Sequence, residues 1–299
     1  MAAKGAHTGA GAHHGGCRPE SPLGRNLAVT PDSVSSVPVL MYHEVNEPAE
    51  AWGSLAVSPA VFSEQLSYLV DAGYTTMTAG ALAALIAEGG QAPPRTVVLT
   101  FDDGFEDFHR HAVPALVEHG CTATVFVTTG WVQDAGSESA AKRPGRMLAW
   151  SQVAEVVTAG MEAGAHSCQH PQLDQIPAAL LREELYTSKA RLEDRLGIPV
   201  LGLAYPYGYS NSRVREMARA VGYDHGYAVR NTTTSPGADL FRLPRLTVHH
   251  STGLSEFQRL VEGQIALTMV RDRALTAAWS VVRRSKATLT GVNRGRDHA

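Results

Sequence analysis

Cysteine is scarce in this chain: Cys17, Cys121 and Cys168 are its only three in 299 residues. An odd, widely spaced set with no CxxC pairing argues against a disulfide framework and favours an intracellular setting. A basic excess is missing too. The formal net charge is -3, which argues against a nucleic-acid partner. No run approaches the ~18 apolar residues of a membrane span. The first thirty residues, rich in Gly, Ala, His and Ser, lack the apolar centre of a signal peptide. These absences lead us to expect a cytoplasmic protein. No internal repeat is present. With 44% hydrophobic and 18% charged residues, the chain can bury a substantial single core.

The composition divides the chain in three. Residues 1–36 read as a disordered arm, 37–262 as the globular domain, and 263–299 as a basic, partly helical tail. Within the domain, short apolar runs bounded by Gly, Pro or polar residues alternate with amphipathic segments. The strand-like runs are VPVLMYHEV, RTVVLTFDD, ATVFVTTGW, GMEAGAHS, VLGLAYPYG, HGYAVRN and LPRLTVHH. In SPAVFSEQLSYLVDAGY, Ser58 caps a helix that Pro59 opens, with Phe62, Leu66, Leu69 and Val70 as its apolar face and Gly73 as its stop. Segments 105–119, 151–159, 178–196 and 211–221 follow the helical pattern, the last opening at Asn211 and stopping at Gly222. About seven alternations predict a parallel α/β architecture, either a barrel or a doubly wound sheet.

In such folds chemistry collects at the carboxyl ends of the strands. The residues there are His43, Asp102 with Asp103, Trp131, His166 with His170, Tyr205 to Gly208, and Arg245 with His249. Adjacent carboxylates repel, so the Asp102–Asp103 pair needs a nearby cation or a protonated member. Taken alone, Asp102 reads equally as a helix cap and as a catalytic group. His166 and His170, spaced i, i+4 after another strand, add two imidazoles. One carboxylate and two imidazoles are the donor set of a catalytic zinc site, and the second carboxylate is then left as a base. Cys168, between the histidines, is expected to point away.

Thr100-Phe-Asp-Asp-Gly104, His166-Ser-Cys-Gln-His170 and Ala204-Tyr-Pro-Tyr-Gly208 resemble the first three motifs of the polysaccharide deacetylase superfamily, the NodB-type carbohydrate esterases. The resemblance spans roughly residues 37 to 262. It implies a distorted (β/α)7 barrel that removes N-acetyl groups from a carbohydrate with a divalent metal ion, Zn2+ by choice. Carried over by position, Asp103, His166 and His170 would hold the metal and Asp102 would be the general base. Tyr207 would contribute its backbone N–H to an oxyanion hole, with Pro206 and Trp131 beside it at the substrate.

Two departures from the family pattern stand out. The third motif has Ala204 where the family carries the arginine that orients the base, and the fourth survives only as GYAVRN. Arg245 is the candidate substitute, against its reading as an ordinary surface arginine. The family's last motif ends in a general-acid histidine. Its strand-then-His form occurs here at VPVLMYHEV, near the start, as in the permuted branch that includes poly-N-acetylglucosamine deacetylases. His43 is thus the acid candidate, ahead of His249, His250 and His225, against a reading as a core histidine bound to the backbone. The tail, QIALTMVRDRALTAAWSVVRRSKATLT, reads as a helix packed on the barrel or as a peripheral contact with an anionic membrane. Two other functions stay open: deacylation of another small amide or ester, and carbohydrate binding without turnover.

Overall fold

The computed structural model describes residues 36–47, 51, 53–136 and 143–264. The predicted arm and tail, apart from Ser36, Gly263 and Gln264, lie outside the described residues. No helix among the described residues is long and apolar enough to cross a membrane.

The chain order is β1 (Val39–Tyr42), β2 (Glu44–Val45), β3 (Ala56–Val57), α1 (Pro59–Asp71), β4 (Thr75–Met77), α2 (Ala79–Ala87) and β5 (Thr96–Phe101). Next come a π-helical turn (Phe108–Ala112), α3 (Val113–Glu118), β6 (Thr124–Val127), α4 (Trp150–Thr158), β7 (Glu162–Ala165), α5 (Ala178–Leu196) and β8 (Gly202–Ala204). The chain continues through α6 (Ser212–Val221), β9 (His225–Val229), β10 (Leu243–Thr247) and α7 (Leu254–Val261). All seven runs read as strands are strands. They hydrogen-bond in parallel around a ring, β1-β10-β9-β8-β7-β6-β5, which β1 closes by pairing with both β10 and β5.

The ring is distorted at one place. β4 pairs with the first half of β5, at Thr96–Val98, while β6 pairs with the second half, at Thr100–Phe101. β4 is therefore a wedge at the lower rim. Parallel strands buried on both faces are apolar throughout, which is why TVVLTF shows no alternation. One buried cluster lies between strands and helices. A second, with Val39, Val98, Phe126, Ala204, Tyr227 and Leu243, fills the barrel.

α2 forms the floor of that interior. Ala79 N–H donates to Thr124 Oγ1 (2.8 Å), its carbonyl accepts from Tyr227 O–H (2.7 Å), and Gly80 N–H donates to Glu162 Oε2 (2.9 Å). Nothing in AGALAALIA is polar enough to give a helical period, so sequence periodicity passes over this helix.

Helix ends follow their capping residues. Ser58 accepts from Val61 N–H (3.3 Å), Asn211 accepts from Val214 N–H (3.0 Å), and α6 stops on a left-handed Gly222. One expectation is corrected. Val70 is 47% exposed and leaves the apolar face of α1, where Gln65 is buried instead, bonded by Tyr42 O–H at 2.9 Å. The segment 105–119 is helical over 106–118, with the π-helical turn as a bulge inside it ahead of α3.

Candidate active site

Side chains on a strand alternate between faces, so residues two apart share one. Each strand therefore delivers its last inward-facing residue to the upper rim. β1 leads to His43, β5 to Asp102, β7 to His166, and β10 carries Arg245 and Thr247. A cavity of about 320 Å³ opens there, lined by Met41, His43, Asp102, Asp103, His166, His170, Tyr207, Tyr209 and Thr247 among others.

Asp102 and Asp103 turn opposite ways because the chain changes hand between them. Asp103 adopts φ +74°, in a turn closed by Gly104 N–H on the Asp102 carbonyl (3.0 Å). Its Oδ1 lies 3.5 Å from His166 Nε2 and 3.3 Å from His170 Nε2. All three side chains are buried, and their donor atoms lie within 4.8 Å of one another.

The donor set fits a divalent ion. Zinc bonds of ~2.0–2.1 Å in tetrahedral geometry put neighbouring donors roughly 3.3–3.4 Å apart, close to the two observed separations. His166 Nδ1 is engaged with the Ala204 carbonyl at 2.9 Å, so Nε2 is the nitrogen turned to the site. Burial pushes both imidazoles down from their usual value, which keeps their nitrogens unprotonated as ligands must be. Three of the residues that shape this rim, Ser167 (φ +62°), His170 (+57°) and Tyr207 (+61°), share the left-handed backbone of Asp103. Such conformations each cost on the order of 1–3 kcal/mol and persist where surrounding bonds hold them.

Asp102 borders this trio, its Oδ2 3.8 Å from His166 Nε2, but its hydrogen-bond partner is a different residue. Arg245, with no exposed surface, reaches up inside the barrel and grips both carboxylate oxygens, Nη1 to Oδ1 at 2.6 Å and Nη2 to Oδ2 at 2.7 Å. Its guanidinium lies over the Phe126 ring, and Nη1 also donates to Thr100 Oγ1 at 3.3 Å. Arg245 is therefore no surface arginine, and Asp102 is no helix cap. Burial pushes the Asp102 carboxyl up, but the charge and hydrogen bonds of Arg245, with His166, outweigh it and hold the group well below the usual carboxylate range. The Ala204 position, where the family's arginine would stand, instead supplies the carbonyl that orients His166.

His43 stands on the cavity wall, and burial pushes it down to about 4, against the pull of Asp102. Among the described residues its buried Nδ1 has no hydrogen-bond partner, so it is not a core histidine tied to the backbone. His225 lies at the other end of β9, by the barrel floor. His249 and His250 follow β10, and neither lines the cavity.

Trp131 is 7% exposed and packs on the His170 ring with centroids 4.8 Å apart, so it meets the site through His170 rather than from the wall. Tyr207 meets the same imidazole edge-on with centroids 4.7 Å apart and is 49% exposed. Pro206 is buried and opens the turn that carries Tyr207. Cys168 turns away, with Arg191 Nη1 3.0 Å from its sulfur. Sequence reading passed over Met41, Thr247 and Tyr209. Each lies two residues from a named candidate, so strand or turn parity was the signal available.

Comparison with known proteins agrees with this geometry. A family model described as polysaccharide deacetylase matches residues 89–226. YxkH of Bacillus subtilis (strain 168), whose name places it among polysaccharide deacetylases, is 26% identical over 233 residues, covering 76% of this chain and 77% of that protein. The poly-beta-1,6-N-acetyl-D-glucosamine N-deacetylase of Escherichia coli (strain K12) is 21% identical over 269 residues, covering 79% of this chain and only 40% of that protein. Among solved structures, the Streptococcus pyogenes deacetylase PplD in complex with acetate aligns with a TM-score of 0.67 at 25% identity, covering 77% of this chain and 99% of that one. IcaB from Ammonifex degensii gives 0.66 at 26% identity over 77% and 97%.

Proposed function

We propose that this chain, which a polysaccharide deacetylase family model matches over residues 89–226, hydrolyses N-acetyl groups from a polymer of N-acetylglucosamine with the help of a divalent ion, zinc by preference. The observation that carries this reading is a single cavity holding two differently placed carboxylates. Asp103 faces two imidazoles, while Asp102 faces a buried arginine. The polymer is inferred from the names of the relatives, the poly-beta-1,6-N-acetyl-D-glucosamine N-deacetylase above among them.

Asp103, His166 and His170 would hold the ion, whose part is to polarise the amide carbonyl and acidify a water. The remaining work falls to the chain. Asp102 takes the proton from that water. Clamped by Arg245 in one rotamer, it is ionised whenever the substrate arrives, and both its orientation and its charge are set in advance. Tyr207, at the cavity wall, presents its backbone N–H to the oxyanion, and its exposed ring offers the sugar an apolar face. An amine leaves badly without a proton, and His43 on the opposite wall supplies it. Neutral at rest, His43 becomes a donor only after a proton enters the site, and the proton that Asp102 removes from water is one source. Ala204 gives no ground for a binding protein without turnover, because Arg245 fills the role of the arginine it replaces.

The test is acetate release from β-1,6-linked N-acetylglucosamine oligomers. Activity should vanish with a chelator and return with zinc. Release that a chelator does not touch would contradict the metal reading, and no release from any N-acetylated sugar would contradict the substrate class.

A further inference from the structure

α5 carries a partly buried carboxylate, Glu184, to which the chemistry above gives no part. Its Oε2 accepts from Cys168 N–H at 2.9 Å and from Gln169 N–H at 2.8 Å. Within the loop, Ser167 Oγ accepts from His170 N–H at 3.0 Å. The loop that bears both imidazoles is thus wrapped around one side chain. Seven residues on along the same helix, Arg191 contacts the Cys168 sulfur, and an i, i+7 pair shares a helix face.

The loop needs such a template. Ser167 and His170 both hold left-handed backbone without being glycine, a conformation that persists where surrounding bonds hold it. The opposite side of the loop is fixed by the segment after β6. Thr129 N–H donates to the Ser167 carbonyl (3.2 Å) and Gly130 N–H to the Cys168 carbonyl (2.8 Å). That approach is so close that a side chain at position 130 would put its Cβ 2.5 Å from the Cys168 oxygen. Carbonyls are therefore tied on one side and amides on the other, and Glu184 is the acceptor for the amides.

We propose that Glu184 is a positioning residue: it templates the His166–His170 loop and thereby sets the convergence of the two imidazoles on Asp103 and the affinity for a divalent ion. This rests on the metal reading above and adds to it a residue outside the cavity and outside the motifs. Outer residues that orient ligands typically contribute 10–100-fold in metal affinity.

Two measurements on the full chain test it: amide hydrogen exchange of ion-free protein over residues 166–170, and zinc affinity by chelator competition. Glu184→Ala should expose the Cys168 and Gln169 amides to exchange and weaken zinc about 10–100-fold, with α5 still protected. Glu184→Gln keeps an amide oxygen able to accept both N–H groups and should stay within about threefold of the parent. Unchanged exchange and affinity in the alanine variant would overturn the proposal. So would a glutamine variant as weak as alanine, since the charge and not the template would then be at work. If Glu184→Ala does not fold, Glu184→Asp takes its place, because the shorter carboxylate cannot reach the loop and must show the same losses. A parent that binds no zinc would sink the metal reading alone, and the exchange data would still decide on the template.

Discussion

At the scale of single residues, the site is an exercise in separating two like charges. Asp102 and Asp103 are adjacent in sequence, and one left-handed turn aims them at different partners. The buried Arg245–Asp102 pair makes a sharp stability prediction. Arg245→Met strands an ionised carboxylate with 3% exposure, and breaking a buried pair from one side costs about 3–5 kcal/mol. Adding Asp102→Asn removes the stranded charge and should recover most of that loss in denaturant titrations. Equal and additive losses would mean the pair is not coupled. His43 makes a prediction about substrates. His43→Ala should keep its metal and fold and still hydrolyse an activated acetate ester, yet lose about 10²–10⁴-fold on N-acetyl sugars, whose amine leaves only when protonated. Equal impairment on both substrates would remove His43 from the acid role. Arg245 also shows where sequence reading stops. LPRLTV places an arginine in a strand, but only the parity of β10 within a closed ring turns it inward, and parity is fixed by pairing rather than by local sequence.

At the scale of elements, legibility followed burial. The seven barrel strands are short, largely buried runs bounded by turn residues, so each was readable. β4 is three half-exposed residues, and α2 is apolar on every side because it plugs the floor, so neither has a period to detect. The family model spans residues 89–226, which leaves His43 on the rim after β1 and Arg245 in β10 outside it. Ring closure brings those two ends together, as β1 pairs with β10. The floor makes its own prediction. His225 opens β9, and among the described residues its buried Nε2 has no hydrogen-bond partner; it packs against Gly202, where a Cβ would come within 2.6 Å. Burial pushes it from 6.5 down to about 4. The unfolded chain then binds a proton that the folded chain refuses, so stability is full above pH 6.5 and falls as the pH drops toward 4. The loss amounts to about 3 kcal/mol at ~1.4 kcal/mol per pH unit. His225→Asn should make that slope shallower in urea titrations across pH 6.5 to 4, leaving the part due to the other buried histidines, His43 among them, and an unchanged slope would place the acid sensitivity elsewhere.

At the scale of the molecule, the barrel is a device for bringing strand ends far apart in sequence to one rim at fixed angles. Its inside changes character along the axis, from the α2 floor through an apolar middle to the Arg245–Asp102 pair and the rim. The account's central claim is that this rim divides labour between the adjacent acids, one for the ion and one for the proton. Zinc content and acetate release, measured side by side on Asp102→Asn and Asp103→Asn, test it most directly. Asp102→Asn should retain stoichiometric zinc while losing about 10²–10⁴-fold in turnover, and Asp103→Asn should lose the zinc itself. Matching zinc loss in both variants, or an Asp102→Asn protein as active as the parent, would contradict the claim.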